Sequence, residues 1–518
     1  MLDLEIKSMG RQLLRHNVLF FVLVLMSLAL YSINLSSNLF HIHYIWSDAG
    51  SCIHSARLVA EGKVPWVDFS YNYGCGSLWL SAGWFTCFGY TPLAYLALNV
   101  VCTIFVCWGI TRLATLMQWP VLVRVFVICC MPFQFGVISH NTAACVESVL
   151  LVHYLVEYVN KRYAIALVLA TCALFFKPAL AFFAGFFLLS SLLLNRQGRT
   201  VTEQVKAYYT VIYPSLAVLI LYAIIISSVW GLKTLITSFL PFSARTNYYE
   251  YNYGFFHEGM AFWFPEKENI WYLLRYYLFS TAGIWIAGTL FLFFQLVKSL
   301  LVWWRGSGLT IQHRCILICG LLHLAFLTFL FAGPWAYAYS SYLVVFGVAA
   351  GLSILPRFSN RHLMAIMLFM VLGFASSLKS IYLFWDTSRL SAGLHYLFMP
   401  ESYQRAYESI QKLAANHRLL ILHGEGASSL LLKNVEMPPV WMLLRGTMLE
   451  SEMTAVLQLV DSAEIIVVQE PPAGMLDLQK VNVVAERLKR FDVRKKTDHF
   501  IYMSTKPFES ELNQIAPR

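Results

Sequence analysis

Charge is what this chain has least of. Acidic and basic residues together make up 13% of its 518 positions, while hydrophobic residues make up 58%. That balance excludes a soluble globular domain, which has no use for so much apolar surface. Glycine-rich loops that cradle nucleotide phosphates are missing, and His423-Gly424-Glu425-Gly426 lacks the full dinucleotide fingerprint. No spacing of His, Cys, Asp and Glu matches a metal site. His41 and His43 read as polar surface, so neither a metal nor another cofactor is assigned. The cysteines do not form a disulfide framework, because Cys102, Cys107, Cys129, Cys130, Cys145, Cys172, Cys315 and Cys319 lie inside apolar runs and read as small core residues. Cys52 and Cys75 share one polar loop and are the pair able to bridge in an oxidising compartment. A net charge of +10 would point a soluble protein toward nucleic acid. Here the basic residues fall in short gaps between apolar runs, which is the positive-inside pattern of membrane proteins, and no nucleic-acid partner is expected.

What the chain has in abundance is apolar runs long enough to cross the roughly 30 Å hydrocarbon layer, which takes about 20 residues as helix. About eleven are recognisable, at 17–33, 91–117, 121–139, 142–159, 163–176, 178–194, 208–228, 271–301, 315–331, 337–355 and 363–382. The first follows Lys7, Arg11 and Arg15 without a small-residue cleavage site and reads as a retained anchor. The short fifth and sixth runs flank Lys177 and Pro178, which predicts two helices meeting at a turn near one membrane face. Residues 77–88 are too few to span and predict an interfacial helix. With the N-terminus cytoplasmic, the inner gaps contain Arg112 and Arg124, Lys161 and Arg162, Arg196, Arg199 and Lys206, Arg305 and Arg314, and Arg357 and Arg361. An odd count then puts residues 34–76, 230–270 and 332–336 outside, together with everything after the last span. No internal repeat is visible. The expected fold is a polytopic α-helical membrane protein over 1–385, in the inner or plasma membrane, followed by a small extracytoplasmic α/β domain over 386–518. That domain is expected to contain helices over 401–416 and 449–460, strands over 419–422 and 465–469, and a hairpin of 491–497 with 499–504.

Directly after the first run stands Trp46-Ser47-Asp48-Ala49-Gly50. Ala49, Cys52, Ile53, Ala56, Val59 and Ala60 then recur at helical spacing, and Gly62 and Pro65 stop the helix. Asp48 occupies the N-cap position, where an aspartate stabilises a helix by about 1 kcal/mol and needs no chemical role. The stretch continues through Asp68-Phe69 and Tyr71-Asn72-Tyr73-Gly74 to Phe88-Gly89. An aspartate just beyond the first span, then an Ala-rich helix, Gly-x-x-Pro-aromatic, Asp-Phe and a Tyr-rich segment ending in Phe-Gly, resembles the first outer loop of the GT-C glycosyltransferases. These polytopic enzymes use sugars linked to polyprenyl phosphates, and include the protein O-mannosyltransferases and lipid A aminoarabinose transferases. Cys75-Gly76 stands where prolines are common in that superfamily.

The resemblance implies that Asp48 is the catalytic base, with Asp68 as the second acidic candidate, and that transfer inverts the anomeric centre. A positioned carboxylate activates a poorly nucleophilic acceptor hydroxyl, while a phosphate leaving group benefits from nearby positive charge. Lys177, in Phe175-Phe176-Lys177-Pro178, reads either as snorkelling to headgroups or as the contact for that phosphate; a lysine after the corresponding short span resembles the aminoarabinose transferases. Glu147 reads either as a packing carboxylate or, by resemblance, as a group positioning acceptor or a divalent cation, which some members need. Arg245 lies in the aromatic loop 230–270, which reads as an interfacial belt or as a lid whose arginine forks onto phosphate. Tyr337, in Gly333-Pro334-Trp335-Ala336-Tyr337, resembles the Tyr-rich entry to a late span and is expected in the donor-pocket wall. The expected function is transfer of a sugar from a polyprenyl-phosphate donor to a glycan, lipid or protein acceptor outside the membrane. A lipid or polysaccharide transporter or flippase, and an O-antigen ligase or polymerase, are the competing readings.

Overall fold

The computed structural model describes residues 18–26, 48–69, 71, 73–90, 92–138, 142–194, 200–239, 281–305, 308–327, 336–354, 390–393, 396–422, 435, 450–469, 482–497, 500–505 and 510. The chain is dominated by helices: α1 (18–26), α2 (Asp48–Ala60), α3 (Cys75–Phe88), α4 (Pro92–Leu116), α5 (Val121–Ile138), α6 (Thr142–Val159), α7 (Tyr163–Leu174), α8 (Pro178–Leu194), α9 (Val201–Phe239), α10 (Thr281–Trp304), α11 (Ile311–Ala325) and α12 (Ala336–Ile354). Among the described residues, four helical stretches are long and apolar enough to cross a membrane, namely Ala97–Leu116, Thr142–Val159, Thr202–Ile236 and Ile286–Trp304. Shorter apolar helices pack between them. Of the expected first span only 18–26 is described, and the expected last span, 363–382, lies outside the described residues.

Local signals fix the ends of these helices. Thr200 and Glu203 form a reciprocal cap at the start of α9: the Thr200 amide donates to the Glu203 carboxylate at 2.9 Å, and the Glu203 amide donates to the Thr200 hydroxyl at 3.3 Å. α6 closes with the Lys161 amide on the Tyr158 carbonyl and the Arg162 amide on the Glu157 carbonyl at 2.9 Å, with Lys161 in the left-handed region. α9 runs past the expected exit at residue 228 and continues to Phe239 across a break at Gly231, so the expected outer loop 230–270 begins as helix. Beyond the break Leu232, Leu235, Ile236 and Phe239 recur at helical spacing, which is why the helix resumes.

One apolar core runs through α1, α4 to α8 and α10 to α12. After it, β1 (Leu390–Gly393) and β2 (Tyr396–Pro400) form an antiparallel pair that leads into α13 (Glu401–Asn416). A four-stranded sheet follows in the order β3, β4, β6, β5, built from β3 (Leu419–Ile421), β4 (Ile465–Gln469), β5 (Val493–Lys496) and β6 (Phe500–Ser504), with β3 and β4 parallel and the rest antiparallel. The sheet is apolar on both faces, as period-two alternation dictates when both are covered. Leu420, Ile466, Val468 and Met503 pack with α14 (Glu450–Ser462) and α15 (Asn482–Leu488). Leu419, Ile421, Ile465, Val467, Phe500 and Tyr502 face the other way. They share one cluster with Tyr407 and Ile410 of α13, Ile53 and Ala56 of α2, Ala82 and Phe85 of α3, and Tyr95 of α4. The C-terminal sheet is thereby joined to the segment that follows the first apolar run.

Candidate functional site

Two loops far apart in sequence meet at the start of α3. The α7–α8 turn presents the carbonyls of Phe175 and Phe176, and the amides of Gly76 and Gly74 donate to them at 2.8 and 2.9 Å. This approach requires glycine, since a Cβ on Gly74 would stand 2.1 Å from the Phe175 oxygen. Phe175 is clamped from the far side by the ring of Tyr222 in α9, stacked at 3.7 Å and within 4° of parallel. The Tyr71 and Ser77 hydroxyls hydrogen-bond at 2.7 Å, and Ser77 donates to the Gly74 carbonyl at 2.8 Å. The Cys52 thiol of α2 lies 3.8 Å from the same Tyr71 hydroxyl. α2, α3 and the 175–177 turn are therefore one connected unit.

Lys177 leaves this turn with its Nζ 6.0 Å from the centre of the Tyr73 ring, a cation over an aromatic face. Because α7 has 12 residues, it rises about 18 Å, well short of a full hydrocarbon crossing. Lys177 is thus set in from one end of the helical bundle, and the Tyr73–Gly76 segment reaches in to meet it. The Lys177 charge acts on Glu147 of α6, which is buried and has one carboxylate oxygen without a hydrogen-bond partner. Glu147 acts in turn on the buried Tyr342 of α12, whose hydroxyl is also unpartnered. A second buried polar group lies nearby in the same helices, where the Cys145 thiol donates to Asn99 at 3.1 Å and Asn99 donates to the Tyr95 carbonyl at 3.0 Å. A buried carboxylate is costly unless it is paired, so the neighbourhood of Glu147 favours a cationic or hydrogen-bonding group from Lys177 or from a ligand.

The expected site residues fall into three groups. Lys177 and Glu147 are brought together. Asp48 opens α2 one turn, about 6 Å, before Cys52 and on the same face of the helix, but its side chain lies outside the described residues. Tyr337 lies in the first turn of α12, likewise without a described side chain, and Arg245 is outside the described residues altogether. Asp68 is exposed, and its Oδ2 accepts from the Val64 amide at 2.7 Å, which closes the 64–69 turn and turns Trp66 and Phe69 inward. The Thr234 hydroxyl, beyond the α9 break, donates to the Pro65 carbonyl of that turn at 3.1 Å. The suggested Cys52–Cys75 bridge does not form: no disulfide links the two residues, and both are buried. Sharing a loop in sequence does not bring them together, because Cys52 is directed at Tyr71 and Cys75 starts a separate helix. Tyr342 and Tyr222 carried no sequence signal beyond being tyrosines within apolar runs. Gly74 and Tyr73 belong to the motif that carried the resemblance. On α2, burial, with a smaller contribution from the Arg57 charge, pushes the His54 imidazole down to about 4. No group of three or more metal-ligating side chains is present among the described residues. The chain matches no family model, no curated protein and no solved structure.

Proposed function

We propose that this chain is a membrane glycosyltransferase that moves a sugar from a polyprenyl-phosphate donor to an acceptor hydroxyl at the extracytoplasmic face, with inversion. The observation that carries the reading is the docking of the Tyr73–Gly76 segment onto the 175–177 turn, which joins the helix opened by Asp48 to the cation Lys177. Asp48 takes the proton from the acceptor as it attacks the anomeric carbon, and the sugar–phosphate bond breaks with its electron pair leaving on the lipid phosphate. Lys177 stabilises the charge that develops on that phosphate. An ammonium in a recess partly screened from water is worth more there than at an open surface. Asp68 acts as a positioning residue, since its carboxylate holds the turn that carries Trp66 and Phe69. The C-terminal sheet, packed on α2 and α3, covers the same face and contributes to acceptor selection.

One observation favours a second reading, a lipid or polysaccharide transporter. Glu147 is buried within an apolar helix within electrostatic range of Lys177, and Arg112 pairs with Glu157 at 2.5 Å across α4 and α6. Ionisable pairs of this kind line translocation pathways in transporters. The purified protein separates the two readings when given a radiolabelled polyprenyl-phosphate sugar and a membrane extract as the source of acceptor. An enzyme releases polyprenyl phosphate and labels the acceptor in detergent, where no compartments exist. A transporter leaves the donor intact.

A further inference from the structure

The ends of α4 and α6 away from the Lys177 turn enclose an open cavity of about 440 Å³, lined by Phe20 of α1, by Trp108, Thr111 and Arg112 of α4, and by Asn160 and Arg162 of the α6–α7 turn. Its charge is unbalanced. The Arg112 guanidinium is 2.5 Å from Glu157 Oε1, while Arg162 reaches Glu157 Oε2 only at 3.8 Å, so two guanidiniums share one buried carboxylate. Arg112 is held in place by the Trp108 ring 5.4 Å beneath it and by His153 at 3.5 Å. Arg162 is 59% exposed, and the helix-closing hydrogen bond from its amide to the Glu157 carbonyl fixes its backbone beside Glu157. The cavity is therefore a preorganised cationic fork whose remaining charge suits one monoanion.

The surface leading to it is apolar. Val101, Ile104, Phe105 and Trp108 are exposed along α4 at positions i, i+3, i+4 and i+7, and Arg112 continues the stripe. From Val101 to Arg112 the helix rises about 16 Å, half of the roughly 30 Å hydrocarbon layer and so one leaflet deep. A free anion would gain nothing from that stripe, whereas an acyl chain has the right length and chemistry to lie along it.

We infer that this cavity binds the headgroup of one anionic phospholipid from the adjacent leaflet, with its phosphodiester between Arg112 and Arg162 and one acyl chain along the Val101–Trp108 stripe. Headgroup hydroxyls are received by Asn160 and Thr111. The site lies at the opposite end of α7 from Lys177 and does not depend on the transferase reading. It would anchor the ends of α4 and α6, the two helices that carry the Asn99–Cys145 pair and Glu147.

Native mass spectrometry of the full chain, loaded with phosphatidylglycerol or with phosphatidylcholine of the same acyl chains, tests the site. One phosphatidylglycerol should be retained in preference to phosphatidylcholine, and Arg162→Gln should lower its retention about fivefold, the effect of one cation on an anionic headgroup, while phosphatidylcholine binding is unchanged. Millimolar inorganic phosphate should leave the lipid bound. A photoreactive phosphatidylglycerol should cross-link to the wild type within 104–116 or 157–163. Equal retention of the two lipids, undiminished phosphatidylglycerol binding by Arg162→Gln, displacement by inorganic phosphate, or cross-links confined to other segments would each overturn the assignment.

Discussion

His54 illustrates how a single side chain on α2 links the fold to pH. Its folded value of about 4 lies below the ordinary imidazole value near 6.5. Between those values the unfolded chain binds a proton that the native protein refuses, so stability is complete above about pH 6.5 and falls as pH drops toward about 4. His54→Gln removes the titrating group. The variant should lose less melting temperature than the wild type between about pH 7.5 and about pH 5, and parallel losses in the two proteins would show that His54 does not carry the effect. The sequence did not announce this role, since a histidine in an amphipathic helix has no marker of its burial. Glu147 differs in that an acidic residue within an apolar run is conspicuous in any sequence. Its neighbours Lys177 and Tyr342 come from the α7–α8 turn and from α12, and only packing brings them near.

At the scale of elements, periodicity carried the reading a long way. The helices at 142–159 and 401–416 and the strand at 465–469 have the bounds their spacing predicts, because each has an apolar face of one clear period between recognisable stops, whereas α2 begins at Asp48 itself rather than after it. α9 runs past its expected end, because a run-length criterion stops at the polar Ser227–Ser228 pair while helical hydrogen bonding does not. The contact between the Tyr73–Gly76 segment and the 175–177 turn was not legible at all. It joins segments about a hundred residues apart through backbone atoms, which carry no side-chain signature. Gly74→Ala tests the joint. With Phe175 oxygen 2.1 Å from the new Cβ, the two segments must separate, and the expected cost is about 1–3 kcal/mol together with loss of any activity that needs both. Gly83→Ala, within the helix that Gly74 precedes but with no atom within 4 Å of the added Cβ, should melt at or above the wild-type temperature. Equal melting of the two variants would show that the joint does not hold the site.

For the molecule as a whole, composition points to a helical membrane protein, and the four helices long and apolar enough to cross a membrane are compatible with it. Sidedness rests on charge placement. The apolar cluster that unites α2, α3 and the C-terminal sheet adds the requirement that both lie on one side. Cys87, exposed near the end of α3, offers a direct probe. A membrane-impermeant maleimide should label it in intact cells, and a tag at the C-terminus should be accessible from the same side. Labelling that requires permeabilisation would invert the topology and remove the extracytoplasmic acceptor. The proposed glycosyl transfer is tested most directly with a radiolabelled polyprenyl-phosphate sugar and the purified protein. The wild type should label the acceptor and release polyprenyl phosphate. Asp48→Asn should be slower by about 10²–10⁴-fold with its melting temperature preserved, whereas full transfer by Asp48→Asn would remove Asp48 as the base and no transfer by the wild type would remove the transferase assignment.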